Sequence, residues 1–339
     1  METTMTACRI SLGAAFLLGC AHAQTVGVVA YTRTPEGAAP WPQQDICTIS
    51  TDGTGGRCLT DDRHSHHPVW SPDGKRILFI HDSTLSTKPL YRETEEGRSH
   101  HPIELSVMDA DGRNRRVLRT IEPVIHSAAW SPDGRTLAVS AATPVKAGEP
   151  ARTGIFLLPA DGRGELRLLK PDAWTPAWSP DGARLAFTVE QPRGRWAVHT
   201  ADADGGTGDT RLTDAGAVSG SPVWSPDGAR IAFDRFTDGV MRQQQVFIMN
   251  RDGSGVRQVT ANAAWACGYP TWATGGNQLV VACRSAASPC GWGMVFSTGQ
   301  PMPACSRRLF VIRLATAGNA ATARMLMDHD GADPALAPR

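Results

Sequence analysis

A five-residue motif, Trp-Ser-Pro-Asp-Gly, occurs four times along the chain and limits what it can fold into. Its copies begin at Trp70, Trp130, Trp178 and Trp224, and a degenerate copy, Trp-Ala-Thr-Gly-Gly, begins at Trp272. Proline presets φ at the second turn position, serine and aspartate form local hydrogen bonds, and glycine closes the turn. Each copy therefore predicts a hairpin turn. Successive copies are 46 to 60 residues apart, a spacing typical of the four-stranded blades of β-propellers.

A second type of turn, Asp-Gly, recurs between the copies of this motif. It occurs at Asp52-Gly53, Asp111-Gly112, Asp161-Gly162, Asp204-Gly205 and Asp252-Gly253. Asp-Gly between apolar runs is a hairpin signal, so each repeat unit is predicted to contain four antiparallel strands, with Asp-Gly joining the third to the fourth. In the unit that contains Trp224, the predicted strands span 221–225, 230–236, 245–250 and 256–260.

The two ends of the chain supply complementary parts of one unit. Strands are predicted at 26–33, 45–50 and 56–60, without a first strand ahead of them. The segment 333–338 matches 175–180 position by position, with Leu336 where the motif has tryptophan. We therefore predict an all-β, six-bladed β-propeller with four antiparallel strands per blade, closed by the C-terminal strand joining the N-terminal blade. Residues 24–339 are predicted to form this single domain, with the motif tryptophans packed between blades.

The first residues are typical of an export signal. An apolar run at 10–18, too short to cross a bilayer, precedes the small residues Ala21-His22-Ala23, so residues 1–23 are predicted to be removed. In an alternative interpretation, the lipobox Leu17-Leu18-Gly19-Cys20 ends a signal of residues 1–19 and its cysteine is lipidated. We expect a monomer in the periplasm, or an outer-membrane lipoprotein facing it, with no transmembrane helix in the mature chain.

The charges are balanced, at 34 Lys and Arg against 33 Asp and Glu. No run of like charges suggests a surface for nucleic acid, so nucleic acid is not an expected partner. The sequence contains no G-x-S-x-G, H-E-x-x-H or G-x-x-x-x-G-K-[ST] motif, and scattered Ser, His and Asp residues are no catalytic signature without geometry. A non-enzymatic binding module without a cofactor is therefore the preferred hypothesis.

Six cysteines lie beyond the export signal, an even number that favours disulfides in an exported chain. Cysteines placed symmetrically about a hairpin turn face each other on antiparallel strands, within bridging distance. The predicted pairs are Cys47–Cys58, Cys267–Cys283 and, as the two that remain, Cys290–Cys305. The alternative, a zinc site built from the last four, lacks the CxxC spacing of structural zinc sites.

The longest predicted loops, 82–102, 141–152 and 284–306, fall on the face of the propeller opposite to both turn types. We call this the insertion face and the opposite side the turn face. Binding residues concentrate on such loops, so the channel mouth on the insertion face is predicted to bind the ligand. The residues four places before each tryptophan position are His66, His126, Trp174, Gly220, Gly268 and Ala332. The predicted ligand-binding residues, which add two nearby histidines, are His66, His67, His126, Trp174 and His101.

Two other interpretations of these histidines remain open. Imidazole is a common metal ligand, so His66 and His126, with His67 or His101, are candidates to hold a metal that assists a lyase or hydrolase acting on polysaccharide or peptide. The plainer interpretation is that they are solvated histidines of an entry loop. Because no pair has a fixed ligand spacing, no metal site is predicted.

The repeat also resembles a known family. The hairpin motif, the strand Arg230-Ile231-Ala232-Phe233 and the stretch 247–253 are similar to the six-bladed propeller of the TolB-like family, over nearly all of the mature chain. This resemblance implies an envelope protein or peptide as partner, and we add a glycan as a further candidate. The α/β domain that precedes the propeller in TolB is not expected in this chain. Oligogalacturonate lyase, a propeller enzyme with a histidine-held metal, is the precedent for the enzyme hypothesis.

Overall fold

The computed structural model describes residues 27–33, 44–82, 103–122, 124–144, 151–205, 207–237, 243–286, 308–315, 322–326 and 332–336. Over these ranges the chain forms 24 strands in six antiparallel sheets of four strands each. Helices are absent from the described residues, and so is any segment that would cross a membrane as a helix. The predicted all-β, six-bladed propeller is confirmed.

Within each blade the four strands follow one another from the central channel outward. Blade 1 contains β24 (Ala332–Leu336), β1 (Val28–Arg33), β2 (Asp45–Ser50) and β3 (Arg57–Cys58). Blade 2 contains β4 (Ser65–Trp70), β5 (Arg76–His81), β6 (Ile103–Asp109) and β7 (Arg116–Ile121). Blade 3 contains β8 (Val124–Trp130), β9 (Thr136–Pro144), β10 (Ala151–Pro159) and β11 (Arg167–Pro171).

The other three blades follow the same order. Blade 4 contains β12 (Ala173–Trp178), β13 (Arg184–Gln191), β14 (Arg195–Asp202) and β15 (Thr210–Arg211). Blade 5 contains β16 (Ser219–Trp224), β17 (Arg230–Phe236), β18 (Gln244–Asn250) and β19 (Arg257–Gln258). Blade 6 contains β20 (Trp265–Trp272), β21 (Gln278–Ser285), β22 (Arg308–Arg313) and β23 (Thr322–Met325). The outermost strands are shorter than the hairpin signals predict in blades 1 and 5.

The C-terminal strand closes the ring as predicted. Leu336 pairs with Val29 of β1, in the same register as Trp224 pairs with Ile231 in blade 5. Leu336 therefore occupies the tryptophan position of blade 1. The first strands β24, β4, β8, β12, β16 and β20 contact one another in a closed circle, which makes them the wall of the central channel.

The motif tryptophans fill the seams between blades. Trp70, Trp130, Trp224 and Trp272 are each less than one-tenth exposed. Trp70 belongs to one core cluster with Ala30 of blade 1, and Trp272 Nε1 donates to Val223 O of blade 5 at 3.2 Å, so these tryptophans pack toward the blade that precedes their own. Packing against a neighbouring sheet explains their regular spacing, as predicted.

The turns of the motif are built by a local hydrogen bond and an inter-blade contact. In all four complete copies the serine Oγ donates to the aspartate Oδ1 two residues later, at 2.5 to 2.6 Å. This bond lowers the pKa of each of these aspartates. The proline of one copy also lies beside the glycine of the next blade, as Pro180 does beside Gly228. Gly276 keeps this contact, with Pro226, in the degenerate copy.

Two of the predicted disulfides are present. Cys47–Cys58 joins β2 to β3, and Cys267–Cys283 joins β20 to β21. In both pairs the cysteines are directly opposed in the strand register, which confirms the argument from hairpin symmetry. The third predicted pair, Cys290–Cys305, lies outside the described residues, as does Cys20.

Candidate functional site

The channel wall is uncharged where its residues are described with their side chains. Strands β4, β8, β12, β16 and β20 contain no Asp, Glu, Lys or Arg. The polar and aromatic side chains of this wall are therefore those of histidine, serine, threonine, tyrosine and tryptophan.

Each of four first strands bends at a bulge where a residue precedes proline. These residues have left-handed φ values of 49 to 52°: His67, Thr175, Ser221 and Tyr269. A left-handed conformation costs a non-glycine residue about 1–2 kcal/mol, and proline supplies no N–H to the ladder. The bulge turns the backbone N–H toward a neighbouring blade, where His67 N donates to Thr32 Oγ1 at 3.1 Å. Strained backbone of this kind is common at functional sites.

The histidines of blade 2 form a pair at the mouth. His66 Nδ1 and His67 Nδ1 are 2.6 Å apart, so a single proton lies between them and the two rings cannot both carry one there. Burial, reinforced by the charge repulsion of His67 and His81, places the pKa of His66 well below its usual range. His66 is therefore neutral at neutral pH. In the neutral pair, one Nε2 carries a proton and the other does not.

Blade 3 departs from the pattern, and this moves His126. In blades 2, 4, 5 and 6 the extra residue of the bulge precedes a proline. Blade 3 has Ala128 in place of this proline, and its bulge falls one residue earlier, at His126. By register Ser127, which pairs with Ser140, is level with His66 and Trp174. Counting back from the tryptophan therefore misplaces blade 3 by one residue, because alanine can enter the ladder and proline cannot.

His126 nevertheless belongs to the histidine cluster. Burial, with a contribution from the charge of His67 on the neighbouring blade, lowers the pKa of His126. His66, His67 and His126 are all half-buried, and two of the three have their neutral form favoured. The structure thus brings together three of the four predicted histidines. His101 lies outside the described residues.

Trp174 continues the mouth on blade 4 and has a partner that the repeat did not reveal. Its ring meets that of Trp196 edge to face, with centroids 4.7 Å apart and planes at 70°. Both side chains are half-buried. Trp196 is the second residue of β14. Its backbone forms an isolated parallel β-bridge with Val218, which precedes the first strand of blade 5. The two rings form one apolar surface on the rim.

Blade 5 contains a buried carboxylate behind the wall. Asp234 is 4% exposed, accepts from Tyr269 N of blade 6 at 3.2 Å, and is also bonded by Ser221, Gln244 and the backbone of Gly220. Burial raises the pKa of Asp234 to about 6, against these hydrogen bonds. The equivalent position in blade 1 is Thr32, which holds His67 in the same way. Asp234 therefore has a packing role that joins blades 5 and 6.

The geometry gives no metal centre among the described residues. No three histidine, cysteine, aspartate or glutamate side chains within these ranges converge on a point where an ion could be held. The loops that contain His100 and His101 lie outside them. The arrangement that is described supplies neutral hydrogen-bonding groups and aromatic faces, which suit binding of a ligand.

Comparison with known proteins agrees with this architecture. The model of the TolB beta propeller domain family matches residues 82–291, and no curated protein sequence matches the chain. TolB from Acinetobacter baumannii superposes with a TM-score of 0.68 at 20% identity, over 92% of this chain and 67% of that chain. Putative TolB from Agrobacterium tumefaciens gives 0.62 at 20% identity, over 90% of each chain.

A third solved structure of similar fold is a synthase. Hydrazine synthase from Kuenenia stuttgartiensis gives a TM-score of 0.64 at 12% identity, over 92% of this chain and 47% of that chain. Identities this low show the fold alone, because one propeller fold hosts many activities. The family match covers more than half of the chain. The chain therefore belongs to the TolB beta propeller domain family.

Proposed function

We propose that this protein is a non-enzymatic binding module of the cell envelope, which is exported to the periplasm and binds its ligand at the channel mouth on the insertion face. The observation that carries the proposal is the contact of His66 with His67 and the electrostatic effect of His67 on His126 of the neighbouring blade, with Trp174 on the next blade. Elsewhere on the described first strands the corresponding positions are small residues such as Gly220 and Gly268. The proposed binding residues thus lie in the blades whose first strands differ from the rest of the repeat.

The test measures retention of the purified mature chain on isolated envelope fragments. We expect His67→Ala/His126→Ala to lose most of the retention, because two of the three histidines are removed. His199→Ala is the matched control, because this half-buried histidine lies on β14 and is bonded to Asp209, away from the first strands. Far-ultraviolet circular dichroism verifies that each variant is folded.

Two results would contradict the proposal. One is retention of the double variant equal to that of the wild type. The other is turnover of a polysaccharide or peptide with stoichiometric bound metal that is lost in His66→Ala, which would favour the metal-assisted lyase or hydrolase. Treating the fragments with protease or with a glycan-degrading enzyme before the assay identifies the chemical class that is bound.

A further inference from the structure

We infer that the ligand at this mouth is an uncharged sugar chain, held by blades 2 to 4; this inference rests on the proposed function and narrows it. The sector consists of β4, β8 and β12, which contribute His66, His67, His126 and Trp174. Trp196 of β14 extends it along the rim.

The wall of this sector disfavours a charged ligand. Its three first strands contain no Asp, Glu, Lys or Arg, and the pKa values of His66 and His126 are lowered. Burying a charged ligand group against such a wall would leave it without a counter-ion, at a cost of several kcal/mol. An uncharged ligand does not meet this cost.

The hydrogen-bonding groups of the sector match those of a sugar. His66 and His67 are in contact through their Nδ1 atoms, and in a neutral pair the Nε2 of one ring carries a proton while that of the other does not. Among the described residues, Ser127 Oγ and the opposed Ser140 Oγ are buried without a hydrogen-bond partner. These hydroxyl groups are neutral, so blade 3 contributes polar side chains to the sector without contributing charge. Sugar hydroxyls both donate and accept, which matches these groups.

The aromatic pair offers a surface on which sugar rings can pack. Trp174 and Trp196 meet edge to face and both are half-buried, so part of each side chain is exposed on the rim. Sugar rings carry C–H groups on their flat faces, and these groups pack on the electron-rich faces of tryptophan. An aromatic platform beside neutral hydrogen-bonding groups is thus suited to a sugar chain that extends from blade 4 to blade 2.

Isothermal titration of the full mature chain with cellotetraose, maltotetraose and tetra-N-acetylchitotetraose, all three uncharged, tests this inference. We expect saturable binding of at least one, with an affinity that is nearly the same in dilute buffer and at about 0.5 M NaCl, because screening acts on charge pairs and not on neutral contacts. Trp174→Ala and Trp196→Ala should each weaken binding about tenfold, equivalent to about 1.4 kcal/mol. Trp196→Phe, which retains an aromatic face, should stay within about threefold of the wild type.

Trp265→Ala is the matched control, since Trp265 is also half-buried but packs on Phe310 in blade 6. It should change the affinity by less than about twofold. The inference is overturned if none of the three oligosaccharides binds saturably, or if Trp174→Ala and Trp196→Ala bind like the wild type. Retention on envelope fragments that is lost after protease treatment would overturn the inference and leave the proposed function standing. If the wild-type protein is not retained on envelope fragments at all, both the inference and the proposed function are wrong.

Discussion

Asp234 provides the sharpest quantitative test of the packing between blades 5 and 6. Its carboxyl group is buried and its pKa is raised from 3.8 to about 6. A difference of about two pKa units is worth about 3 kcal/mol of stability. Because the folded pKa lies above the unfolded one, this contribution is fully present below pH 4 and is lost as the pH rises through 6. Between pH 5 and pH 7 the loss is about 1 kcal/mol.

The substitution Asp234→Asn removes the titration and keeps the shape of the side chain. The amide can donate to Gln244 Oε1, which has no partner among the described residues, although one backbone N–H then loses its acceptor at a cost of about 1 kcal/mol. The free energy of unfolding is measured by urea denaturation from pH 4.5 to pH 8 for both proteins. The lowered pKa of His66 makes its contribution to stability rise with pH, opposite to that of Asp234. The quantity to compare is therefore the difference in free energy of unfolding between variant and wild type at each pH.

We expect Asp234→Asn to be less stable than the wild type at pH 4.5 and to gain on it by about 2 kcal/mol as the pH rises to 7. A difference between variant and wild type that is the same at every pH would refute the reasoning, because it would mean that Asp234 has the same pKa in the folded and unfolded chain.

The turns between blades give two further predictions. A Cβ at Gly162 would lie 2.3 Å from the carbonyl oxygen of Leu118, at a φ of +81°, so Gly162→Ala should destabilise the fold by about 2 kcal/mol or more. Gly205→Ala is the control, because a Cβ at Gly205 would have no atom within 4 Å. Thermal denaturation that shows an equal decrease in midpoint temperature for both variants would contradict this prediction. Arg324 Nη1 donates to Asp52 O at 3.0 Å across the ring closure. Arg324→Ala should therefore lower the free energy of unfolding, measured by urea denaturation, by about 1 kcal/mol. An unchanged urea midpoint would contradict a stabilising role for this contact.

The fold follows from the repeat because turn chemistry and strand register are local properties. Ser-Pro-Asp-Gly joins the first strand to the second in four blades, and Asp-Gly joins the third to the fourth in five. The cysteines opposed about such hairpins then fall into bridging positions. Leu336 was identifiable for the same reason, since a strand that matches the repeat pairs in the register of the repeat. These predictions needed no knowledge of contacts distant in sequence.

The candidate site is less predictable, because it lies where the repeat is interrupted. The absence of proline after Ser127 shifts the bulge to His126, and a count of residues from Trp130 cannot show this shift. A comparison of the x-Pro steps would have revealed it. Trp196 lies on a third strand, outside the positions measured from the motif, and its contact with Trp174 depends on the three-dimensional packing of blade 4. Asp234 replaces the Thr32 of blade 1 at an equivalent position, and its charge becomes important only on burial.

Site-specific photo-crosslinking tests the central claim, that the mouth of the insertion face holds the ligand. A photoreactive phenylalanine analogue is placed at Trp174 in one protein and at Pro132, on the turn face, in another, and each is irradiated with envelope fragments. We predict a discrete covalent adduct from position 174, which excess unlabelled wild-type protein suppresses, and none from position 132. Adducts of equal yield from both positions, or from position 132 alone, would contradict the assignment of the binding site to the channel mouth.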